Sequence, residues 1–417
     1  MTSSVSGSST SVGWPLARHL AHQQVTARPA ELVELSAAVG QVLAEDLSAG
    51  CDLPPGDTSA MDGWAVSGPP PWSVVGQSLA GRAPDRSGEL APSQAMVIAT
   101  GAIVPAGATG IVRSEHGRLD PSGRLWPDPD PGGPPDLSDV RPRGHEARAG
   151  DVLVPAGTVV RPITVGLAAA AGRDGLLVHS RPRVLIVVLG DELLDAGPPR
   201  GGAVRDALGV QLPAWVSALG GTPIAVRRVP DDPEATRAAI ESDAEADVVV
   251  TTGGSAAGAA DHLRRALSAL GARIVVDTVD VRPGHPMLLA ELPDGRRLVG
   301  LPGNPLAALA GVVTLLEPLL AGLSGGPLPA LGRAVVADAV PVRPRGRHPR
   351  GHLLIPVSAG PGGQVRATGY ATSAMLRGAA LADGFLLVPP EGIEAGETGV
   401  VAWFPWTSAS HILINQA

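Results

Sequence analysis

The sequence predicts a multidomain protein of the α/β plus β class, with a doubly wound α/β domain over residues 181–326. After residue 183, strand-like apolar runs alternate with helical segments, and several of the runs stop at glycine-rich turns. Over residues 52–140 and 327–417, by contrast, the apolar runs are short and separated by Pro and Gly. Such spacing is typical of small β domains. A chain of 417 residues is long enough for about three domains.

The segments before and after the first β domain are expected to form a linking region. Residues 14–51 carry apolar side chains at helical spacing, so N-terminal helices are expected there. The linking region is expected to resume over residues 141–180, with a short helix at 163–171. The Ser-rich start has neither the basic nor the apolar part of a signal peptide, which predicts a cytoplasmic location.

The α/β domain is expected to contain parallel strands, each followed by a helix or a turn. The run 184–189 is continuously apolar, as expected for a strand that is buried on both faces. Further strands are predicted at 224–229, 247–251, 273–276 and 298–301. Helices are predicted at 208–219, 233–242, 256–270 and 305–323.

Charge and composition exclude several classes of function. The net charge of −8 argues against non-specific nucleic-acid binding. The apolar strand-like runs are too short to cross a bilayer, so no membrane partner is expected. The chain has no Lys, so its basic side chains are Arg and His. A single cysteine, Cys51, rules out an internal disulfide or a cysteine-based zinc site.

Two glycine loops are candidate ligand sites. Residues 251–255 (TTGGS) follow the apolar run 247–250, and residues 300–305 (GLPGNP) follow another. Loops at the carboxyl ends of parallel strands hold anionic ligands in many α/β proteins. Either loop alone could be only a turn, but the pair suggests one ligand held at both. The candidate binding residues are Thr252, Gly253, Gly254, Ser255, Pro302, Gly303 and Asn304.

Acidic side chains lie beside these loops. Glu192 and Asp231 follow strand ends, and Asp261 lies one to two turns into the helix after the first loop. Capping of the next helix is the simpler role for an acidic residue at a strand end. Taken together and beside anion-binding loops, the three carboxylates instead predict a site for a hard cation, Mg²⁺. They also predict a transfer reaction at a phosphate or similar oxyanion. A proline-rich loop at 282–286 adds two candidate cations, Arg282 and His285.

Seven motifs occur in one order along the chain: SAMDGWA at 59–65, TGAIVPAGA at 100–108, GDEL at 190–193, PDDP at 230–233, the 253–261 loop, RPGHP at 282–286 and GLPGNP at 300–305. In this order they resemble the molybdopterin molybdenumtransferases, the family of MoeA and the gephyrin E domain. The similarity extends from about residue 14 to about residue 405.

The resemblance implies an elongated homodimer whose protomers carry an inserted β domain, a molybdopterin-binding α/β domain and a C-terminal β barrel. The implied reaction is the Mg²⁺-dependent joining of adenylated molybdopterin and molybdate with release of AMP. The molybdopterin adenylyltransferase is a candidate partner. Catalytic positions carried over are Asp62, Thr100, Glu192, Asp231 and Asp261, with Asp62 and Thr100 expected to act across the dimer. Arg350 and Ser373 match positions near the molybdate site.

Several positions depart from the family pattern. Leu189 stands where Thr is usual, Leu208 where Asn is usual, and Ala256 and Ala307 where Ser is usual. His285 replaces a Lys, which predicts that anion binding strengthens as pH falls through about 7, because histidine gains its charge in this range. The surviving carboxylates favour an active transferase. The lost hydroxyl and amide groups favour a divergent paralogue that binds molybdopterin or acts as a scaffold.

Overall fold

The structure is a computed structural model that describes residues 11–82, 89–128, 134–254, 262–341 and 351–407. The chain divides into two compact units. One unit comprises Met1–Glu31, Gly40–Val42 and His179–Ala417, and the other comprises Leu32–Val39 and Leu43–Val178. The α/β plus β class expected from the sequence is confirmed.

A six-stranded sheet forms the centre of the α/β domain. Its spatial order is Thr222–Val229, Arg183–Leu189, Val248–Thr252, Arg297–Leu301, Leu288–Glu291 and Arg273–Val276. The first four strands are parallel, and the last two extend the sheet as antiparallel neighbours.

The prediction of a wholly parallel sheet was therefore wrong at one edge, where 273–276 is antiparallel to its neighbour and Leu288–Glu291 was missed. The connection 292–296 is too short for a crossover, so the two strands that it joins form a hairpin.

Helices cover both faces of the sheet. Alternate side chains of the Arg183–Leu189 strand enter different cores: Val184 and Ile186 point into one, Leu185 and Val187 into the other. This is the two-residue period of a strand that is buried on both faces. The described helices of the domain are Leu208–Ala218, Pro233–Glu241, His262–Ala269 and the continuous segment Pro305–Leu323.

The Pro305–Leu323 helix is the central core helix. By length and composition alone it could cross a bilayer, yet 89% of its apolar window is buried inside the protein. Trp14, at the start of the Trp14–Gln23 helix, donates its indole N–H to Thr314 Oγ1 at 2.8 Å. Arg18 pairs with Glu317 at 2.8 Å. Burial raises the pKa of the Glu317 carboxyl, and the Arg18 charge partly opposes that rise.

The C-terminal domain is a closed five-stranded barrel. Its strands are His352–Ala359, Gln364–Ala367, Gly332–Val336, Thr398–Trp403 and Gly384–Val388, and the last pairs back with the first. Val279–Arg282 adds a parallel strand to this sheet beside His352–Ala359. The expectation that Arg282 lies in a loop was wrong for this residue, because barrel pairing makes it the last residue of a strand.

The second unit contains the inserted β domain, described here by itself. Its six-stranded sheet has the order Gly110–Arg113, Gly63–Ser67, Gln94–Ile98, Trp72–Ser78, Arg124–Pro127 and Gly117–Leu119. A two-stranded pair of Thr58–Ser59 with Val140–Arg141 lies at the boundary of this domain. The linking region contributes the pair Leu47–Ser48 with Val152–Val154, together with the helix Pro162–Ala170.

The expectation of several helices within 14–51 was wrong beyond Gln23. Ala30–Glu34 is a strand that pairs with Gly175–His179, followed by a single 3-10 turn at Leu35–Ala37. Gly40 then has a φ of +81°, a conformation that ends a helix. Pairing with a strand that lies far along the chain overrode the local helical spacing, since such spacing is only a weak determinant.

Candidate functional site

A cleft of about 570 Å³ opens at the carboxyl ends of the parallel strands. Its lining residues come from several chain segments that are far apart in sequence. Its walls are formed by Leu189, Gly190, Glu192, Leu193, Val204, Arg205, Asp206, Ala207, Leu208, Asp231, Thr252, Gly253, Gly254, Pro286, Pro302, Gly303, Asn304, Pro305 and Ala374. The expected convergence of Glu192, Asp231 and the first glycine loop on one edge of the sheet is confirmed.

The two glycine loops touch each other in this cleft. The Gly253 N–H donates to the Leu301 carbonyl at 3.0 Å. A Cβ at Gly303 would lie only 3.5 Å from the Gly253 Cα. Gly253 itself has a φ of +83°, which L side chains rarely adopt. The loops therefore form one continuous wall of small residues and backbone, able to approach an anionic ligand closely.

The barrel contributes a second element to this wall. The Ser373 carbonyl accepts hydrogen bonds from the backbone N–H groups of Leu306 (2.9 Å) and Ala307 (3.1 Å). These are among the first N–H groups of the Pro305–Leu323 helix, which have no partner within the helix. The structure thus places Ser373 directly behind the Asn304 loop, and its neighbour Ala374 lines the cleft.

The acidic wall is formed by Glu192 and Asp231, on neighbouring loops. Asp191 connects the loops, because its Oδ1 accepts the Asp231 backbone N–H at 3.3 Å. Gly190 has a φ of +139°, and a Cβ there would lie 2.8 Å from Glu192 Oε2. Glycine at this position lets the carboxylate fold back over its own loop.

Helix capping does not account for Asp231. The cap of the Pro233–Glu241 helix is the next residue, Asp232, whose Oδ1 accepts the Ala235 N–H at 2.7 Å. That bond satisfies the helix terminus. Asp231 is left facing the cleft beside Glu192.

Two carboxylates in one cleft fit a magnesium ion. Mg²⁺ keeps several waters and is usually held by one or two carboxylates together with substrate phosphates. Among the described residues no group of three or more His, Cys, Asp or Glu side chains could hold a metal. The third predicted ligand, Asp261, and the loop residue Ser255 lie outside the described residues. Glu192 and Asp231 are thus the described residues that could hold the ion.

Two residues of the cleft were missed by the sequence reasoning. Asp206 is buried, and its Oδ1 accepts the N–H groups of Leu208 (3.0 Å) and Gly209 (2.9 Å), so it caps the Leu208–Ala218 helix. Its Oδ2 pairs with Arg228 at 3.0 Å. Arg205, directly before it, faces the cleft. An Asp before a predicted helix was a visible signal for a cap, but nothing local marked Arg205.

The other expected cations do not line the cleft. Pro286 is a lining residue, whereas Arg282 and His285 are not. The Nδ1 atom of His285 lies 2.7 Å from the Val279 carbonyl, and since a carbonyl only accepts, this nitrogen carries the proton. Arg350 lies outside the described residues.

Asp62 and Thr100 form a separate cluster in the second unit. Their motifs are 38 residues apart, and the Thr100 N–H donates to Asp62 Oδ1 at 2.6 Å. This backbone hydrogen bond, followed by one from the Thr100 side chain, lowers the pKa of the Asp62 carboxyl. Asp62 is thus held as an exposed carboxylate at neutral pH.

Two of the described departures from the family pattern, Leu189 and Leu208, lie in the cleft wall. Leu189 is 4% exposed and packs beneath the first loop, where a Cβ at Gly254 would lie 3.1 Å from its Cδ1. Leu208 is 5% exposed and lines the cleft as the first residue of its helix. Both side chains make this part of the wall apolar.

Comparison with known proteins agrees with these motifs and their arrangement. The family model for the "MoeA N-terminal region (domain I and II)" matches residues 14–172, and that for the "Probable molybdopterin binding domain" matches residues 185–322. A molybdopterin molybdenumtransferase of a Nostoc species is 34% identical over 71% of this chain and 70% of its own length. The chain belongs to the molybdopterin molybdenumtransferase family.

Relatives extend the match over nearly the whole chain. Molybdopterin molybdenumtransferase 2 of Mycobacterium tuberculosis is 33% identical over 92% of this chain and 98% of its own. The crystal structure of a molybdopterin biosynthesis MoeA protein from Pyrococcus horikoshii superimposes with a TM-score of 0.76 at 25% identity, covering 95% of this chain and 99% of that one. The cleft described above lies largely within the segment matched to the molybdopterin-binding domain.

Proposed function

We propose that this chain catalyses the Mg²⁺-dependent insertion of molybdenum from molybdate into adenylated molybdopterin, with release of AMP. One observation carries the proposal. A single cleft joins two contacting glycine loops, suited to phosphate, with two carboxylates suited to a cation. Family membership supplies the molybdopterin substrate.

Each wall of the cleft has a separate task in this proposal. The backbone N–H groups of Gly254, Gly303 and Asn304 bind the phosphate groups and hold the pterin in place. Glu192 and Asp231 would hold Mg²⁺, which as a Lewis acid would neutralise charge on the phosphoanhydride. The Ser373 carbonyl keeps the Asn304 loop and its helix in register with the barrel.

The remaining parts of the proposal concern assembly and location. We propose a cytoplasmic homodimer in which the Asp62–Thr100 cluster of one protomer serves the cleft of its partner. Because the product of the molybdopterin adenylyltransferase is the substrate here, that enzyme is the proposed partner. The Asp62 carboxylate, ionised by its hydrogen bonds to Thr100, adds negative charge that can orient Mg²⁺ or water.

A second candidate function is molybdopterin binding without efficient insertion. The apolar side chains of Leu189 and Leu208 in the cleft wall favour it. Each lost hydrogen bond to a charged group costs roughly 1.5–3 kcal/mol. A binding or scaffold protein would tolerate that loss more readily than an enzyme.

Turnover separates the two functions. The full chain would be supplied with adenylated molybdopterin, molybdate and Mg²⁺, and both AMP and active cofactor would be measured. An enzyme releases AMP in step with cofactor, and Glu192→Gln abolishes both. Glu234→Gln is the matched control, because Glu234 is an exposed residue of the adjacent helix that pairs with Arg237 outside the cleft. Tight substrate binding without AMP release would establish the scaffold function instead.

A further inference from the structure

The cleft has a marked imbalance of charge. Its described lining contains three carboxylates, Glu192, Asp206 and Asp231, and a single basic side chain, Arg205. A phosphoanhydride ligand adds further negative charge to this space. The glycine loops line the same space, so a cation in the cleft would complete the binding of such a ligand.

We propose that Arg205 binds the phosphate of the nucleotide portion of the substrate. This assignment rests on the function proposed above. It concerns the part of the cleft that Glu192 lines. The short strand Val204–Arg205 runs parallel to Leu193–Leu194, and the Val204 N–H donates to the Glu192 carbonyl at 2.8 Å. Backbone pairing therefore holds Arg205 and Glu192 close to each other at the cleft.

The local structure orients the guanidinium without neutralising it. Arg205 Nη1 donates to the Leu194 carbonyl at 3.0 Å. Among the described residues, Arg205 forms no ion pair with a carboxylate. Its neighbour Asp206 is already paired with Arg228 and bonded to two helix N–H groups. No carboxylate of the described residues therefore neutralises the Arg205 charge.

Arginine suits this task for a geometric reason. Its planar guanidinium offers paired donors that match two oxygens of one phosphate, whereas lysine offers a point charge. With Nη1 bonded to Leu194, the remaining donors keep a fixed direction. Glu192 and Asp231, which line the same cleft, would hold Mg²⁺, and the ion would supply further positive charge for the phosphates.

The test compares AMP with adenosine, which lacks the phosphate. The full chain would be titrated with each in the presence of Mg²⁺. The wild type is expected to prefer AMP. Arg205→Gln is expected to lower AMP affinity roughly 10- to 100-fold, the value of a charge-assisted hydrogen bond, and to leave adenosine affinity unchanged. Arg205→Lys is expected to fall in between.

Arg200→Gln is the matched control. Arg200 lies in the same connection between the two short strands but does not line the cleft, so AMP affinity is expected to stay at the wild-type value. A parallel titration with molybdate tests the second oxyanion. The affinity for molybdate should be equal in wild type and Arg205→Gln. Circular dichroism of each variant confirms the fold.

The outcomes separate two failures. A full AMP preference retained in Arg205→Gln overturns the Arg205 assignment and leaves the proposed function intact. A loss of molybdate affinity in place of AMP affinity also overturns it, because Arg205 would then serve the other substrate. A wild type that binds AMP no better than adenosine overturns both the assignment and the proposed function.

Discussion

Asp206 is expected to stabilise the acidic wall through two separable interactions. It caps the Leu208–Ala218 helix through Oδ1, and it pairs with Arg228 through Oδ2 at 3.0 Å. Asn caps a helix about as well as Asp but carries no charge. Asp206→Asn therefore removes the ion pair alone, whereas Asp206→Ala removes both the ion pair and the helix cap.

The magnitudes follow from the geometry of each contact. Loss of a helix cap costs about 0.5–2 kcal/mol. The Arg228 side chain is 29% exposed and Asp206 only 8%, so water replaces part of the ion pair, and we assign its loss about 1 kcal/mol. Asp206→Asn should thus cost about 1 kcal/mol and Asp206→Ala about 1.5–3 kcal/mol of local stability.

Hydrogen exchange followed by mass spectrometry measures this stability at the helix itself. Since 1.4 kcal/mol is a factor of ten, exchange of the 208–218 amides should accelerate about 5-fold in the Asn variant and about 10- to 140-fold in the Ala variant. Asp232 is the matched control: it caps the Pro233–Glu241 helix, and its side chain forms no ion pair among the described residues, so Asp232→Asn should be neutral. Equal acceleration by Asn and Ala at position 206 would refute the division into cap and ion pair.

Three further predictions concern the cleft and the dimer. Gly253→Ala should lower the free energy of unfolding by about 1–2 kcal/mol, because Gly253 has a positive φ, and should weaken AMP binding. Gly303→Ala should fold normally. Equal stability of the two variants in urea denaturation would be inconsistent with this account. Mixing Asp62→Ala with Glu192→Ala protomers should restore about one functional site per mixed dimer; mixed dimers without activity would exclude action in trans. Because His285 does not line the cleft, titrations of molybdate binding from pH 6 to 8.5 should be alike for wild type and His285→Lys. A flatter pH profile with tighter binding at pH 8 in the variant would show instead that His285 contacts the anion.

The glycine loops and carboxylates could be located from the sequence for a simple reason. Buried parallel strands are continuous apolar runs, so their carboxyl ends are visible as the points where the runs stop. Glu192 and Gly253 follow such points, whereas Asp231 follows the edge strand Thr222–Val229, which is largely exposed and contains two arginines. Parallel strands bring all these carboxyl ends to one edge. The roles assigned to these residues remain predictions.

Other parts of the site depended on contacts between distant segments. The Ser373 carbonyl reaches the Leu306 and Ala307 amides from the barrel, and no local pattern marks that contact. Arg282 looked like a loop cation, but pairing with the barrel placed it at the end of a strand. Only the folded chain shows that Pro286, rather than its neighbour His285, lines the cleft.

The sequence by itself determined the α/β plus β class, the family and the position of the glycine loops and carboxylates at the strand ends, because burial period, glycine turns and motif order can be read without knowledge of distant contacts. Tertiary structure decided the antiparallel edge of the sheet, the identity of Asp232 as the helix cap beside Asp231, and the exposure of Arg205 to the cleft. Those features depend on which distant segments of the chain pair with each other. They also depend on which polar groups already have hydrogen-bond partners in the folded chain.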